Sequence, residues 1–159
     1  MLDWLMNSTV GRMLQTFMIS MVPVAELRVG IPYGVSLGLG YKASALAAVL
    51  GNLFPVPIII AYVRRVFAWL RRKSAKLDAW ISGMENKAES KGEKVRRYGA
   101  IGLILLVAIP LPGTGAWTGA LVAAVLGLRT REAIIPIGLG VLIAAAIVIG
   151  VTYGVNYIF

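Results

Sequence analysis

The stretch AIPLPGTGAWTG, residues 108–119, lies at the centre of an uncharged run that extends from residue 99 to residue 128. Proline removes a backbone donor and clashes with the preceding helical turn, and glycine permits a sharp reversal of the chain. One continuous helix through this stretch is therefore not expected. The run must form either a broken rod or a hairpin of two short helices.

Composition identifies the environment of that run. Hydrophobic residues make up 58% of the 159 residues, mean hydropathy is +0.81, and only 14% of residues are charged. Residues 43–63, 99–128 and 133–159 contain no charge. Because a helix needs about 20 apolar residues to cross a bilayer, we predict an all-α integral membrane protein.

The positive charge is concentrated in one segment. The formal net charge is +9, and most of the Lys and Arg residues lie between Arg64 and Arg97. A basic segment beside apolar spans is typical of a cytoplasmic loop, so nucleic acid is not expected as a partner. Arg129 and Arg131 also remain cytoplasmic if residues 99–128 form a re-entrant hairpin, which favours the hairpin over a crossing.

An internal repeat is visible when the sequence is shifted by 87 residues. Pro23 then falls on Pro110, LGYK (39–42) on LGLR (126–129), and Gly51 on Gly138. The same charge argument makes residues 13–41 a hairpin that opens on the outside. Each half then has one hairpin and one crossing, so the two repeats are predicted to have inverted topology, a plan found in many transporters.

The connector between the repeats has an amphipathic pattern from residue 62 to about residue 88, which predicts a basic cytoplasmic helix. Its apolar face would lie on anionic headgroups or on a neighbouring subunit, or else act as a gate or dimerisation arm, and ESKGEK (89–94) would be a flexible turn. The predicted single membrane domain has an interfacial segment 1–12, a first repeat 13–63 (hairpin 13–41, span 43–63), a connector 64–98 and a second repeat 99–159 (hairpin 99–128, span 133–159).

Two charged residues stand at the tip of the first hairpin, within VAELRVGIP (24–32). Intramembrane ionisable residues indicate a substrate or ion pathway by default. Arg28 offers bidentate donors to a phosphate or carboxylate. Glu26 is the only carboxylate between Asp3 and Asp78, which makes it the candidate for proton or ion coupling. The alternative is an ion pair that only stabilises the hairpin.

The tip of the second hairpin supplies hydroxyls and backbone amides that could contact a substrate, because glycine-rich turns can bind anions. The alternative is a tight turn that only packs against its partner. Its candidate binding residues are Pro112, Gly113, Thr114, Gly115 and Thr118. Hinge or structural positions are predicted at Pro23, Pro32, Asn52, Pro55, Pro57 and Pro110.

Cysteine and histidine are absent from the sequence. This excludes disulfides, thiol nucleophiles and Ser-His-Asp arrangements, and it leaves few options for zinc. We therefore expect no enzymatic activity, no cofactor and no metal.

The motifs PVAELRVGIPYG (23–34) and PLPGTGAWTG (110–119) resemble the small multidrug export protein family, a compact relative of the DedA/VTT membrane proteins. The resemblance implies paired re-entrant hairpins, a prokaryotic cytoplasmic (inner) membrane, and transport of polyprenyl phosphates or proton-dependent drug resistance. It carries an acidic and a basic hairpin residue onto Glu26 and Arg28, and the turn onto Pro112–Gly115. DedA proteins usually have arginines in the second half, whereas residues 99–128 here have none.

These observations favour a transporter of an anionic amphiphile, such as a polyprenyl phosphate, with Arg28 on the head group and Glu26 as the coupling residue. One alternative is a proton-coupled small multidrug exporter in which Glu26 binds the cation. Another is a scramblase or membrane-assembly factor with a structural Glu26–Arg28 pair. Membrane lipids are expected partners, and a homodimer or larger homo-oligomer is expected because two spans cannot shield two hairpins.

Overall fold

The computed structural model describes residues 8–111 and 114–154, and within them the chain is all-helical. Two helices of this described part are long and apolar enough to cross a membrane, Tyr41–Arg71 and Thr130–Gly154. The eight helices of the described residues are α1 Thr9–Ser20, α2 Glu26–Ser36, α3 Tyr41–Leu53, α4 Pro55–Arg71, α5 Ala75–Tyr98, α6 Ala100–Ala108, α7 Ala116–Val125 and α8 Thr130–Gly154.

Both predicted hairpin segments consist of two short helices around a turn. The first has 12 and 11 residues on either side of residues 21–25, and the second has 9 and 10 residues on either side of residues 109–115. Pro23 and Pro110 lie in these two turns, whereas Pro32 is accommodated inside α2. Pro112 and Gly113 lie outside the described residues.

The first long helix is interrupted only at Phe54. Pro55 occupies the first position of α4, where a missing backbone donor costs least, so α3 and α4 continue as one rod of 31 residues. Pro57 follows within the first turn, and Asn52 is buried just before the break. The rod extends beyond the predicted span 43–63 to Arg71. The basic residues of its end, which were predicted to lie in the connector, therefore belong to this helix. The second long helix begins at Thr130, slightly before the predicted span 133–159.

The predicted flexible turn at residues 89–94 is wrong, because these residues lie inside the continuous helix α5. The reversal of the chain comes earlier, at residues 72–74. Ile81, Ala88 and Val95 are spaced by seven residues and are buried. This spacing keeps one face of a helix in contact with its neighbours throughout, which explains why the helix does not end at the polar stretch.

The apolar face of α5 is covered by the same chain. It packs on α4, α6 and α7. The predicted single amphipathic helix of residues 62–88 is divided between α4 and α5 by the reversal. Ile81 and Ala88 are buried against the same chain, which corrects the prediction for this part of the face, whereas Val66 is 47% exposed. Arg71 at the end of α4 forms ion pairs with Asp78 and Glu85 of α5, and these contacts hold the reversal.

The two halves pack their helices in corresponding ways. α1, α2 and α3 contact one another, and so do α6, α7 and α8. A Cβ atom at Gly51 of α3 would collide with the Phe17 carbonyl group of α1, and a Cβ atom at Gly140 of α8 would lie 2.9 Å from the Ile104 oxygen of α6. Phe17 and Ile104 are 87 residues apart, but the two glycines are 89 apart.

The spacing between matching residues of the two halves therefore changes at the turn, from 87 to 89 residues. The second turn has seven residues and the first has five, so every position after it is displaced by two. Gly38 and Gly127, 89 residues apart, both have positive φ and both follow a short helix. The predicted pairing of Gly51 with Gly138 is wrong, because nothing lies within 4 Å of a Cβ atom at Gly138. LGL (37–39) matches LGL (126–128) in the corrected register.

Candidate functional site

The first turn ends at Glu26, which is the first residue of α2. Its φ is +47°, the left-handed region that a residue with a side chain rarely adopts. Its side chain is only 4% exposed. The unusual backbone conformation and the burial of a carboxylate occur at the same residue. Strain of this kind is often kept at functional positions.

Arg28 connects the first turn to the second. Its guanidinium donates from Nη1 to the Leu111 carbonyl oxygen at 2.6 Å, and from Nη2 to the carbonyl oxygen and Oγ1 of Thr114 at 3.1 Å each. Thr114 Oγ1 in turn donates within its own turn, where the Ile109 and Leu111 carbonyl oxygens both lie at 2.7 Å. One arginine thus holds three oxygen atoms of the opposite turn.

The Glu26 carboxylate lies at the start of α7. A Cβ atom at Gly115 would overlap both carboxylate oxygens, and φ of Gly115 is +120°, so glycine is needed here for space and for conformation. The backbone amide of Trp117 donates to the carboxylate. A helix N-terminus stabilises a negative charge through its free amides and its dipole. Glu26 therefore acts as an acidic cap for a helix of the other half.

The carboxylate is only partly satisfied. Its Oε1 is buried and has no hydrogen-bond partner among the described residues. The nearest nitrogen of Arg28 is 3.9 Å from Oε2, which is an ion pair without a hydrogen bond. Glu26 and Arg28 thus do not form a tight pair with each other. They are not independent either, because both side chains point from the first turn to the second.

Trp117 makes a further contact, from the second hairpin to the first turn. Its indole Nε1 donates to the Met21 carbonyl oxygen of the first turn at 3.0 Å. No specific role for Trp117 follows from the motifs of the sequence. A buried indole requires an acceptor, and a turn that exposes free carbonyl groups is the natural place to find one. That argument could have placed Trp117 at the contact between the turns.

Cavities flank this contact on both sides. A cavity of about 350 Å³ is lined by Pro23, Trp117 and Thr118 together with apolar residues of α4 and α7. A cavity of about 250 Å³ lies beside Arg28, against Ile147, Val148 and Val151 of α8. Each cavity is largely apolar and reaches one of the two turns. The turns themselves touch through the contacts of Glu26, Arg28 and Trp117.

The structure brings Glu26, Arg28, Thr114 and Gly115 into one cluster, and it places Thr118 at the neighbouring cavity. The described part of the chain contains no group of three or more carboxylate, cysteine or histidine side chains that could hold a metal ion.

These features are those of an all-helical membrane protein with two long apolar helices and a polar contact between two interrupted segments. The family described as "Putative small multi-drug export protein" matches residues 26–147, which include Glu26, Arg28, the second turn and most of the long helices, and which begin directly after the first turn. The chain belongs to this family. Searches of curated proteins and of solved structures find no match.

Proposed function

We propose that the protein exports small amphiphilic compounds across the membrane, that the contact between the two turns is its gate, and that a proton on Glu26 controls the gate. The observation that carries this proposal is the Glu26 carboxylate itself, buried at the contact with one oxygen lacking a partner among the described residues. The family description supports export. A transporter is proposed here, and an enzyme is not.

The proposed topology is that of two re-entrant hairpins with opposite orientation. Helices of 9–12 residues are about 14–18 Å long, roughly half of a hydrocarbon core of about 30 Å. The first hairpin opens beside Tyr41, at the start of the long rod. The second opens at Gly127, near the guanidinium of Arg64 towards the other end of that rod. Hairpins that open at opposite ends of one crossing helix would be inverted.

The gate would work by electrostatics in a low-dielectric environment. An ionised Glu26 attracts the guanidinium of Arg28 and the N-terminus of α7, and these attractions hold the turns together. A proton on the carboxylate removes the charge and weakens both attractions. The turns could then separate and join the two flanking cavities, which would give an amphiphile a path past the contact.

The test is transport of ethidium, a lipophilic cation, by the full chain in liposomes at several pH values. Glu26→Gln keeps the shape and hydrogen-bonding groups of the protonated acid but cannot titrate. We expect the variant to lose the pH dependence of ethidium transport. Glu132→Gln, an exposed carboxylate in the first turn of α8, is the matched control and should keep it.

Three outcomes would contradict the gate. Unchanged pH dependence in Glu26→Gln would show that another group controls transport. A complete loss of ethidium binding, with pH-independent transport of neutral compounds, would instead assign Glu26 as the counter-charge of a cationic substrate. A third result, in which the melting temperature falls and nothing else changes, would leave Glu26 a structural role only.

A second candidate is translocation of an anionic amphiphile such as a polyprenyl phosphate. It is favoured by the position of Arg28, which lines the apolar cavity beside α8 and whose side chain is 23% exposed. A phosphate would replace the Leu111 and Thr114 oxygens on the guanidinium. Arg28→Ala should then abolish transport of the phosphate-headed lipid, and Arg28→Lys should restore only part, because a point charge does not reproduce bidentate contact. Normal lipid transport by Arg28→Ala would reject this candidate.

Topology and assembly can be tested separately. Cysteines at Lys42, Lys87 and Arg131 are unique, since the chain has none of its own. We expect an impermeant thiol reagent to label Lys42→Cys from outside the cell and the other two only after permeabilisation. External labelling at Arg131 would mean that the second segment crosses. Val24, 91% exposed at the first turn, is where a neighbouring copy would be needed, and Val24→Cys should crosslink within a homo-oligomer.

A further inference from the structure

Five polar or charged side chains are fully buried among the described residues, and all five lie in the first half: Thr16, Ser20, Glu26, Ser44 and Asn52. They come from three helices that pack together, α1, α2 and α3. Within each helix their spacing is four or eight residues, which places them on one face. The interior of the first half therefore contains a continuous polar strip.

Two glycines of α2 make room for this strip. Gly30 and Gly34 follow Glu26 at four-residue intervals on the same helix face. A Cβ atom at Gly30 would overlap Ser20 Oγ, and one at Gly34 would lie 2.7 Å from Thr16 Oγ1 and 2.8 Å from Ser44 Oγ. The hydroxyl groups thus occupy the volume that side chains at these positions would fill.

The residues of the strip follow one another along two antiparallel helices. Gly34 contacts Ser44, and Gly30 contacts Ala48, so α2 and α3 run antiparallel with one step of four residues for each turn. The same register, if extended by one turn, would set Asn52 opposite Glu26. Successive pairs of facing positions on α2 and α3 are one helical turn apart, about 5–6 Å. One water molecule with two hydrogen bonds of about 2.8 Å spans that distance.

Hydrogen bonding leaves the strip incomplete. Thr16 Oγ1 donates to the Arg12 carbonyl oxygen and Ser20 Oγ donates to that of Thr16, so their oxygen lone pairs remain for other donors. Ser44 Oγ, Asn52 Oδ1 and Glu26 Oε1 are buried and have no partner among the described residues. Buried polar atoms without partners are costly and uncommon, and water or a ligand usually satisfies them.

We propose that this strip is the path by which protons reach Glu26 from the membrane face where Arg12 and Lys42 lie. A proton enters from water at that face, passes along hydroxyl groups and bridging waters, and binds Glu26 Oε1 to give a carboxylic acid. Each relay group gives up one proton for the one that it receives. The inference rests on the proposed control of the gate by Glu26 and adds the route and the side of entry.

Helix packing alone does not account for the strip. In the second half, the residues at the positions of Thr16, Ser20, Ser44 and Asn52 are Leu103, Val107, Ala133 and Val141, and all four are buried. The corresponding helices also contact one another there, with apolar side chains at these levels. The hydroxyl and amide groups of the first half must therefore serve another purpose.

The charged surroundings of Glu26 are simple. Arg28 is the charged side chain that acts on it. On the helices packed against α2, the titratable groups stand at the ends. Arg12 of α1 contacts Gly38, and Tyr41 of α3 contacts Tyr153 of α8, all beyond the far end of the strip, with Lys42 beside Tyr41. The strip itself presents hydroxyls, an amide and apolar groups.

The test is infrared spectroscopy of the full chain in lipid, with no substrate present. The carbonyl stretch of protonated Glu26, assigned by its loss in Glu26→Gln, shifts when D₂O replaces H₂O. We expect the shift to be about tenfold slower in the double variant Thr16→Val, Ser44→Ala, because two relay groups are lost. Ser36→Ala removes a hydroxyl of the same hairpin outside the strip and should exchange at the normal rate.

An unchanged rate in the double variant would overturn the path, as would absence of the Glu26 band at every pH. Ser44→Cys retains side-chain volume but relays protons poorly, and it serves if the double variant does not fold. The outcome is separable from that of the ethidium assay. Slowed exchange with pH-independent ethidium transport would keep the path and reject the proposed gate. Normal exchange with pH-dependent transport that Glu26→Gln abolishes would reject the path alone.

Discussion

In the first half of the molecule, Glu26 is the first residue of the helix after the turn; in the second half, Gly115, 89 residues later, directly precedes the helix after the turn. Both have positive φ, and the two residues touch. One carries a buried carboxylate and the other has no side chain at all. A carboxylate at both positions would place two negative charges in contact, which a buried site cannot support.

The same division extends through the interiors of the two halves. The first half buries hydroxyls, an amide and a carboxylate, and the second buries leucine, valine and alanine at the matching levels. Similar helix packing therefore supports two different chemistries. The polar half carries the group that can titrate, and the apolar half provides the helix N-terminus and turn that the charged groups hold. Four groups of substitutions test this difference between the halves.

The largest effect is expected for Gly115→Ala. The added methyl group would overlap the Glu26 carboxylate, and alanine at φ +120° is strained in addition, so we expect a loss of about 3–5 kcal/mol in unfolding free energy. Thermal unfolding in detergent would measure it. Gly138→Ala, at a helical position with open space around it, should be neutral or slightly stabilising. Equal effects of the two changes would mean that the carboxylate does not occupy the space beside Gly115.

Arg28→Ala should have the next largest effect, about 2–4 kcal/mol, because three oxygens of the second turn lose a charged donor. Unfolding by denaturant would measure the loss. Thr114→Val removes only the hydroxyl acceptor and should cost less. Arg129→Ala changes an exposed arginine and serves as the control. If Arg28→Ala matches that control, the two turns are not held together through Arg28.

The register of the repeat predicts a smaller effect in the long helices. Gly51→Ala and Gly140→Ala each bring a methyl group against a backbone carbonyl of the opposing helix, and each should cost about 1–3 kcal/mol. Melting temperatures of the two variants should fall by similar amounts. A neutral Gly140→Ala would contradict the correspondence of the two halves after the turn.

The smallest change concerns the polar strip as a source of stability. Ser20→Ala removes a hydroxyl that bonds within its own helix, and the unfolding free energy should change by less than about 1 kcal/mol. Val107→Ser at the matching level loses buried apolar surface and should cost somewhat more, about 1–2 kcal/mol. A large loss for Ser20→Ala would indicate that the strip is needed for packing rather than for proton transfer.

The class of structure follows from the sequence alone. Uncharged runs long enough to cross a bilayer, interrupted by proline and glycine, allow little besides long helices and broken segments, because the backbone must satisfy its own hydrogen bonds in lipid. Residues with unusual chemistry in such a chain are few, so Glu26, Arg28 and the Thr114–Gly115 turn are conspicuous in the sequence alone. The sequence also sets Pro23 and Pro110 at matching positions, and both prolines lie in the turns.

The contacts between distant residues could be read only from the tertiary structure. The two extra residues in the second turn changed the register after it, and no local pattern reveals an insertion within a glycine-rich stretch. The course of α5 through residues 89–94 depended on contacts with α6 and α7, which outweigh the local preference of glycine and serine for a turn. Two of the three oxygens that Arg28 binds are backbone atoms 83 and 86 residues away, and backbone atoms leave no trace in a sequence pattern. Their position is set by how the helices pack.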